Sequence, residues 1–366
     1  MQLVSIIFFA AVGIQLLYLI FFLIAFGRRR IVEGSETPPV SVIVCAHDEE
    51  ENLKELIPKL LSQRYPAFEV IIVNDRSNDG TYDYLLQATR VHPFLRMVQV
   101  DRVPPHANGK KFGITLGIKA AAHEWLLFTD ADCRPADNEW IMGMSRHFGD
   151  KVRIVTGVSP YQKEAGFLNL FVRFEGWITA MQYLGSALLG SPYMGVGRNL
   201  AYRKSLFLQN KGFNQFLGVV GGDDDLFVNQ HATAENLRVD IDPKTTVFSV
   251  PKKTWKSFYL QKVRHLSVGK HYRLKHRILL GLFTISWIIT WLAGSGLLIL
   301  DLTAWAIAAT LLLRVILVTI LLRTLSGKTG VAFEWWAVPF LDFLYSFYYI
   351  STGLTALSTK KIQWTK

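Results

Sequence analysis

The chain has 366 residues, of which 50% are hydrophobic, 13% aromatic and only 19% charged, and its mean hydropathy is +0.23. A chain with this much apolar side chain to bury is not disordered. Its two cysteines, Cys45 and Cys133, exclude a disulfide scaffold and point to a reducing compartment. The net charge of +11 admits nucleic acid, anionic lipid or phosphorylated ligands as partners, and the apolar content favours the last two.

Residues 3–26 are almost unbroken apolar sequence, long enough for a helix that crosses a bilayer, which takes about 20 residues. A cleaved signal peptide would carry its positive charges before the run. Here Arg28-Arg29-Arg30 follow it, so residues 1–30 read as an uncleaved anchor whose C-terminal side faces the cytoplasm. Residues 31–39 form a polar linker ending in Pro38-Pro39, and residues 40–251 look like one globular domain. Its first half alternates β-branched runs (41–45, 69–73, 95–100, 125–129) with helix-like segments (51–61, 82–89, 110–122). Such alternation, with apolar runs like Val70-Ile71-Ile72-Val73, predicts an α/β fold with a mostly parallel sheet buried on both faces. Residues 252–277 are basic and amphipathic. They read as a helix at the cytoplasmic membrane surface, with Trp255, Phe258 and Tyr259 at headgroup depth. The remainder, 278–366, reads as transmembrane helices. Spans at 278–300 and 303–322 are joined by Asp301-Leu302, and a last span at 331–357 carries Glu334, Pro339 and Asp342. That last span is open between a full crossing and a kinked or re-entrant segment.

Open α/β sheets hold their ligands beyond the carboxyl ends of the strands, and acidic residues cluster at those positions. Val44-Cys45-Ala46-His47-Asp48-Glu49-Glu50 runs from a strand into residues that also suit a capped helix start. Val73-Asn74-Asp75 ends a second strand, and Asn78-Asp79-Gly80 after it is a turn signal. Leu126-Leu127-Phe128-Thr129 leads straight into Asp130-Ala131-Asp132. Two carboxylates separated by one residue suit a hard divalent cation shared with substrate phosphates, although many such triplets are solvated turns. Gly221-Gly222-Asp223-Asp224-Asp225 places three acids in a row. They either favour a helix N-terminus or include a general base with a raised pKa. In Gln261-Lys262-Val263-Arg264-His265, Gln261, Arg264 and His265 share a helix face. Anionic lipid alone would explain such a basic helix, and a guanidinium also suits a diphosphate. Trp177, Tyr183, Tyr193 and Tyr202 are candidates for sugar stacking or for packing.

Taken in order, these motifs resemble a membrane-bound family 2 glycosyltransferase with a GT-A catalytic domain. Asn108-Gly109-Lys110-Lys111 is similar to that family's Gly-Lys element, Gly197-Arg198-Asn199 to its acceptor-side segment, and Gln261 to His265 to its Gln-X-X-Arg-Trp motif. The resemblance implies inverting transfer from a UDP- or GDP-sugar to a lipid or glycan acceptor, with Mn²⁺ or Mg²⁺ held by Asp132 and Asp130. It further implies that Ala46, Asp48, Glu50, Asp75, Lys110, Asp130, Gln261 and Arg264 bind the nucleotide sugar. Asn199, Asp225 and His265 would face the acceptor, and Asp224 or Asp223 would be the base. The expected setting is an integral protein of a bacterial cytoplasmic membrane, its catalytic domain in the cytoplasm among membrane lipids, with the oligomeric state open. His265 stands where processive members carry Trp, which favours single transfers over a polysaccharide synthase. His47-Asp48 replaces the usual Tyr-Asn at the position of the base contacts. An inactive nucleotide-binding scaffold would have no use for Asp130, Asp132, Asp224 and Arg264 together. A nucleic-acid partner is not expected, because the basic residues cluster beside the apolar spans and no nucleic-acid module pattern appears.

Overall fold

The computed structural model describes residues 2–28, 36–105, 107–300 and 304–359. The chain divides into two compact units: residues Arg30–Gln162 with Gly190–Pro251, and Met1–Arg29 with Lys163–Leu189 and Lys252–Lys366.

The first unit is α/β. Its strands are β1 (Val40–Ala46), β2 (Phe68–Asp75), β3 (Leu95–Val100), β4 (Trp125–Asp130), β5 (Cys133–Pro135), β6 (Ile154–Thr156), β7 (Leu200–Arg203), β8 (Leu237–Val239) and β9 (Val247–Ser249). Seven of them form one sheet in the order β3-β2-β1-β4-β7-β6-β8, and β5 pairs with β9. Strands β1 to β4 are parallel, while β7 runs antiparallel to β4 and β6. The apolar runs are the central strands because each buries side chains on both faces: Val42, Ile43 and Val44 of β1 and Val70 to Val73 of β2 are all inaccessible. Register brings the strand ends level, with Cys45 opposite both Val73 and Asp130 and Ala46 opposite Asn74. The acidic residues beyond β1, β2 and β4 therefore share one edge of the sheet. The helices Glu50–Leu61, Thr81–Val91 and Gly109–Ala120 follow β1, β2 and β3, as the alternating pattern predicts. Asn108 caps the last of them by accepting from the Lys111 backbone N–H.

The second unit is helical. Gln2–Gly27, Leu274–Leu300 and Ala304–Thr329 are long and apolar enough to cross a membrane. Phe8, Val12, Leu297, Ile307 and Leu311 pack together among them. The helix Phe167–Leu188 joins this unit, whereas the sequence reading kept its residues inside the α/β domain. It buries residues around its whole circumference, Phe171, Phe174, Trp177, Ile178 and Met181 among them, so it carried no polar face to mark a boundary. Trp177 and Tyr183 are thus core residues and not free to stack on a sugar.

The predicted surface helix also differs. It runs Trp255–Val268 and gives way to a 3₁₀ turn, Gly269–His271, before the spanning helix begins at Leu274. Trp255 is exposed, but Phe258 is buried, stacked on Tyr348 at 5.7 Å. The Tyr259 hydroxyl shares a hydrogen bond with Thr355 Oγ1 (2.7 Å), so two of the three predicted headgroup aromatics are engaged within the helical unit. The last apolar stretch forms a 3₁₀ turn, Trp335–Ala337, and a helix, Val338–Ser358. Pro339 sits in its first turn, where no N–H bond is lost and no kink results. Lys360-Lys361 and the Asp301-Leu302 turn lie outside the described residues.

Within this unit Arg314 and Asp342 form a fully buried ion pair. Asp342 also accepts from Trp291 Nε1 at 2.8 Å, Arg314 reaches Gln15 Oε1 at 3.4 Å, and its guanidinium lies 4.3 Å from the Trp287 ring centroid. Removing one member of such a pair leaves a buried charge unpaired and costs about 3–5 kcal/mol, whereas replacing both with apolar residues is often neutral. Arg314→Met or Asp342→Leu alone should therefore lower the midpoint of thermal unfolding in detergent, and the double variant should recover most of the loss. Equal losses in all three variants would contradict the pairing argument.

Candidate active site

The loop after β1 and the loop after β2 are knitted together. Asp48, at a left-handed φ of 54°, accepts from the Asn78 N–H at 2.6 Å, and its own N–H donates to Ser77 Oγ. Ala46 is buried at the end of β1, and Glu50 begins the next helix and pairs with Lys54 at 2.8 Å. Asp75 is buried at the end of β2 and is gripped by Arg76, whose Nε and Nη2 donate to the two carboxylate oxygens at 2.7 and 3.2 Å. Glycine at 109 leaves room for this pair, since a Cβ there would lie 2.6 Å from Arg76 Nη2 and 3.1 Å from Asp75 Oδ2 and would push the arginine side chain aside. The first turn of the helix Gly109–Ala120 can therefore approach the Asp75 carboxylate.

That turn aims Lys110 at the acids of two other segments. Its ammonium is 3.0 Å from Asp130 Oδ1 and 3.2 Å from Asp223 Oδ2. Burial works against the Lys110 charge, but Asp130, Asp223 and Asp224 outweigh it and hold its pKa well above the ordinary lysine value. A cavity of about 20 Å³ opens beside these groups, lined in part by Cys45, Thr129, Tyr202 and Asp223, and it is about the size of one water.

Asp224 is half-buried, and both of its oxygens are spoken for. The Gly197 N–H donates to Oδ2 at 2.6 Å and the Asp225 N–H to Oδ1 at 2.8 Å. Burial raises its pKa, Asp223 adds to the rise, and Lys110 and the two N–H bonds oppose it without cancelling it. Asp225 is buried at the first turn of Asp225–His231 and accepts from the Leu226 N–H, as a helix-terminal acid does.

Asp130, Asp132 and Cys133 present ligand atoms within 4.8 Å of one another. The two carboxylates suit a hard divalent cation. Burial, and then Asp132 and Asp130, push the pKa of the Cys133 thiol well above the ordinary value, and a hard cation prefers the carboxylate oxygens to sulfur. The thiol lies 3.6 Å from Asp132 Oδ1 as a weak donor.

One predicted residue has a different role. Asn199 is fully buried, and its amide donates to the Val158 and Thr245 carbonyls (2.9 and 2.8 Å) while its Oδ1 accepts from Trp140 Nε1 (3.0 Å). It fastens the turn that presents Gly197 to Asp224 and does not face an acceptor. Tyr193 and Tyr202 are likewise buried. The sequence reading passed over Arg198 in the same turn. Its guanidinium lies 4.8 Å from the Tyr161 ring centroid. Burial opposes its charge, yet Tyr161, Cys133, Asp130 and Asp132 raise its pKa further, so a second fixed cation stands near the carboxylate pair. Nothing in the local pattern distinguished it from an ordinary surface arginine. Gln261, Arg264 and His265 lie on Trp255–Val268 in the helical unit.

Residues 41–209 match the model of glycosyl transferase family 2. A poly-beta-1,6-N-acetyl-D-glucosamine synthase of Staphylococcus epidermidis is 27% identical over 173 residues, covering 44% of this chain and 40% of the relative. A 4,4'-diaponeurosporenoate glycosyltransferase of Staphylococcus haemolyticus is 31% identical over 158 residues, covering 42% of this chain and 40% of the relative. The chain thus spans about two fifths of the length of these curated relatives. Among solved structures, a mannosyltransferase from Pyrobaculum calidifontis in complex with GDP-Man and Mn²⁺ aligns with a TM-score of 0.68 at 17% identity. The alignment covers 98% of this chain and 99% of that one, an agreement of fold. With its mostly parallel sheet, the acids at the strand ends and the family match over them, residues 41–209 carry a glycosyl transferase family 2 domain in a GT-A-like fold.

Proposed function

We propose that this protein is an inverting glycosyltransferase that moves a sugar from a nucleoside-diphosphate sugar to the hydroxyl of a lipid or lipid-linked glycan at the cytoplasmic face of a membrane. One observation carries the reading: Lys110 joins Asp130, beside Asp132, to Asp223, beside a base candidate of raised pKa. Donor and metal are supported by the neighbour that holds GDP-Man and Mn²⁺. A lipophilic acceptor is supported by the 4,4'-diaponeurosporenoate glycosyltransferase among the relatives and by the three helices long and apolar enough to cross a membrane.

Asp130 and Asp132 would hold Mg²⁺ or Mn²⁺, which when bound supplies Lewis-acid neutralisation of the leaving diphosphate. Lys110 and Arg198 add fixed positive charge to the same group, and Gln261 and Arg264 are kept as proposed nucleotide-sugar residues. Ala46, Asp48, Glu50 and Asp75 would seat the nucleoside, and Asp225 and His265 are kept as acceptor-side residues. Asp224 takes the proton of the acceptor hydroxyl as its oxygen bonds to the anomeric carbon, and the bond from that carbon to the diphosphate oxygen breaks. The two N–H donors fix the Asp224 carboxylate, and its raised pKa makes it a stronger base than an ordinary aspartate. Asp223 is the weaker candidate because its carboxylate is engaged by Lys110.

A processive reading is favoured by one observation, the polymer synthase among the relatives. Product length decides it: a single added sugar supports the proposal, and a ladder of oligosaccharides supports the synthase.

Three outcomes are expected. Calorimetry of the detergent-purified protein should show UDP or GDP binding with Mn²⁺ that EDTA abolishes and that Asp132→Asn weakens at least tenfold. Binding of neither nucleotide by folded protein would remove the donor assignment. Asp224→Asn should leave that binding within twofold of wild type while transfer falls by about 10²–10⁴, the usual worth of general-base catalysis. Because Asp224 must be deprotonated to act and its pKa is raised, kcat/KM should fall on acidification with a midpoint above the ordinary aspartate value of about 4. An acid limb at or below that value would point to another base.

A further inference from the structure

The Lys110-Lys111 doublet divides its two ammonium groups between different segments. Lys110 meets the acids. Lys111 has no exposed surface, and its Nζ donates to the backbone carbonyls of Phe216 (2.7 Å) and Val219 (2.6 Å). It also lies 5.1 Å from the Phe216 ring centroid. Both carbonyls belong to the loop that leads into Asp223-Asp224-Asp225. The Asn108 N–H adds a third tie to the same loop, at the Leu217 carbonyl (3.4 Å).

The loop needs such ties because its ends are permissive. Lys211 and Gly212 stand at φ of 58° and 60°, and Gly221 and Gly222 at 83° and 81°. Consecutive left-handed glycines directly before the acids impose little direction of their own. A buried ammonium is costly unless its donors are matched, and here two of its three donors are matched by carbonyls of one loop.

We propose that Lys111 is a positioning residue for the transfer reaction: its ammonium latches the 213–220 loop and so sets Asp223 and Asp224 against Lys110. This rests on the glycosyltransferase reading for its catalytic consequence, but the latch itself does not. Loss of the latch leaves Asp75, Asp130 and Asp132 in place, so it acts on turnover and not on nucleotide binding. Burial lowers the Lys111 pKa to about 8, against the opposing pull of Asp223, Asp225 and Asp224. As pH rises through that value the amine keeps N–H donors but loses charge assistance, and the latch weakens on the alkaline side.

The test uses the full-length protein in membranes, with GDP-mannose and UDP-N-acetylglucosamine in Mn²⁺ as probes and release of nucleoside diphosphate as the rate. Lys111→Met should bind Mn²⁺ with GDP or UDP within twofold of wild type and release product at least tenfold more slowly. Lys111→Arg, which stays charged, should recover at least half of the rate and move the alkaline limb up by at least one pH unit. Wild-type turnover in Lys111→Met, or an unmoved alkaline limb in Lys111→Arg, overturns the proposal. Should wild-type protein turn over neither probe, that failure falls on the glycosyltransferase reading, and amide hydrogen exchange judges the latch alone. Peptides covering 213–222 must exchange at least tenfold faster in Lys111→Met than in wild type, with Lys111→Arg close to wild type, and equal exchange in all three overturns the latch.

Discussion

The acidic mouth of this sheet holds together because one ammonium stands between carboxylates from separate segments. Asp130 ends a strand and Asp223 follows a glycine-rich loop, and Lys110 bridges them from the first turn of a third element. Without a cation at that point, Asp130, Asp223 and Asp224 would repel one another in a partly desolvated space. Asp224 still keeps a raised pKa, because burial and then Asp223 raise it and Lys110 with the two backbone N–H bonds offsets that rise only in part.

Backbone geometry supplies what this charge balance needs. Parallel register levels the ends of β1, β2 and β4, and the absence of a Cβ at Gly109 lets the Asp75–Arg76 pair sit against the helix that carries Lys110. Asn199 contributes from beneath. It fastens the turn whose Gly197 N–H holds Asp224, so a residue that never meets solvent helps to aim the base.

Most of the α/β architecture was legible in the sequence, because fully apolar runs of strand length alternate with amphipathic segments. Asp130 and Asp132 could be named because they follow directly on such a run, and Asp224 because three acids stand in a row after a diglycine where the resembled family carries its acidic motif. What escaped was set by contacts distant in the chain. Arg198 and Lys111 look like ordinary surface cations until Tyr161 and the carbonyls of Phe216 and Val219 are brought to them. Asn199 was assigned to an acceptor because its neighbours resembled a motif, whereas its burial follows from Trp140, Val158 and Thr245. The helix Phe167–Leu188 was absorbed into the wrong unit because a helix buried all round shows no periodicity to read. Phe258 and Tyr259 were taken for interface anchors, since aromatic residues beside lysines read alike whether they meet lipid or the helix Val338–Ser358.

The buried Arg314–Asp342 pair bears on how the chain is assembled. Arg314 lies near the middle of Ala304–Thr329, and an arginine at the centre of an inserted helix opposes partitioning by about 2.5–3.5 kcal/mol. That helix is made before Val338–Ser358, which brings Asp342. In a membrane the guanidinium would therefore depend on a carboxylate carried by a helix that follows it in the chain, with Gln15 of a preceding helix as its further polar contact.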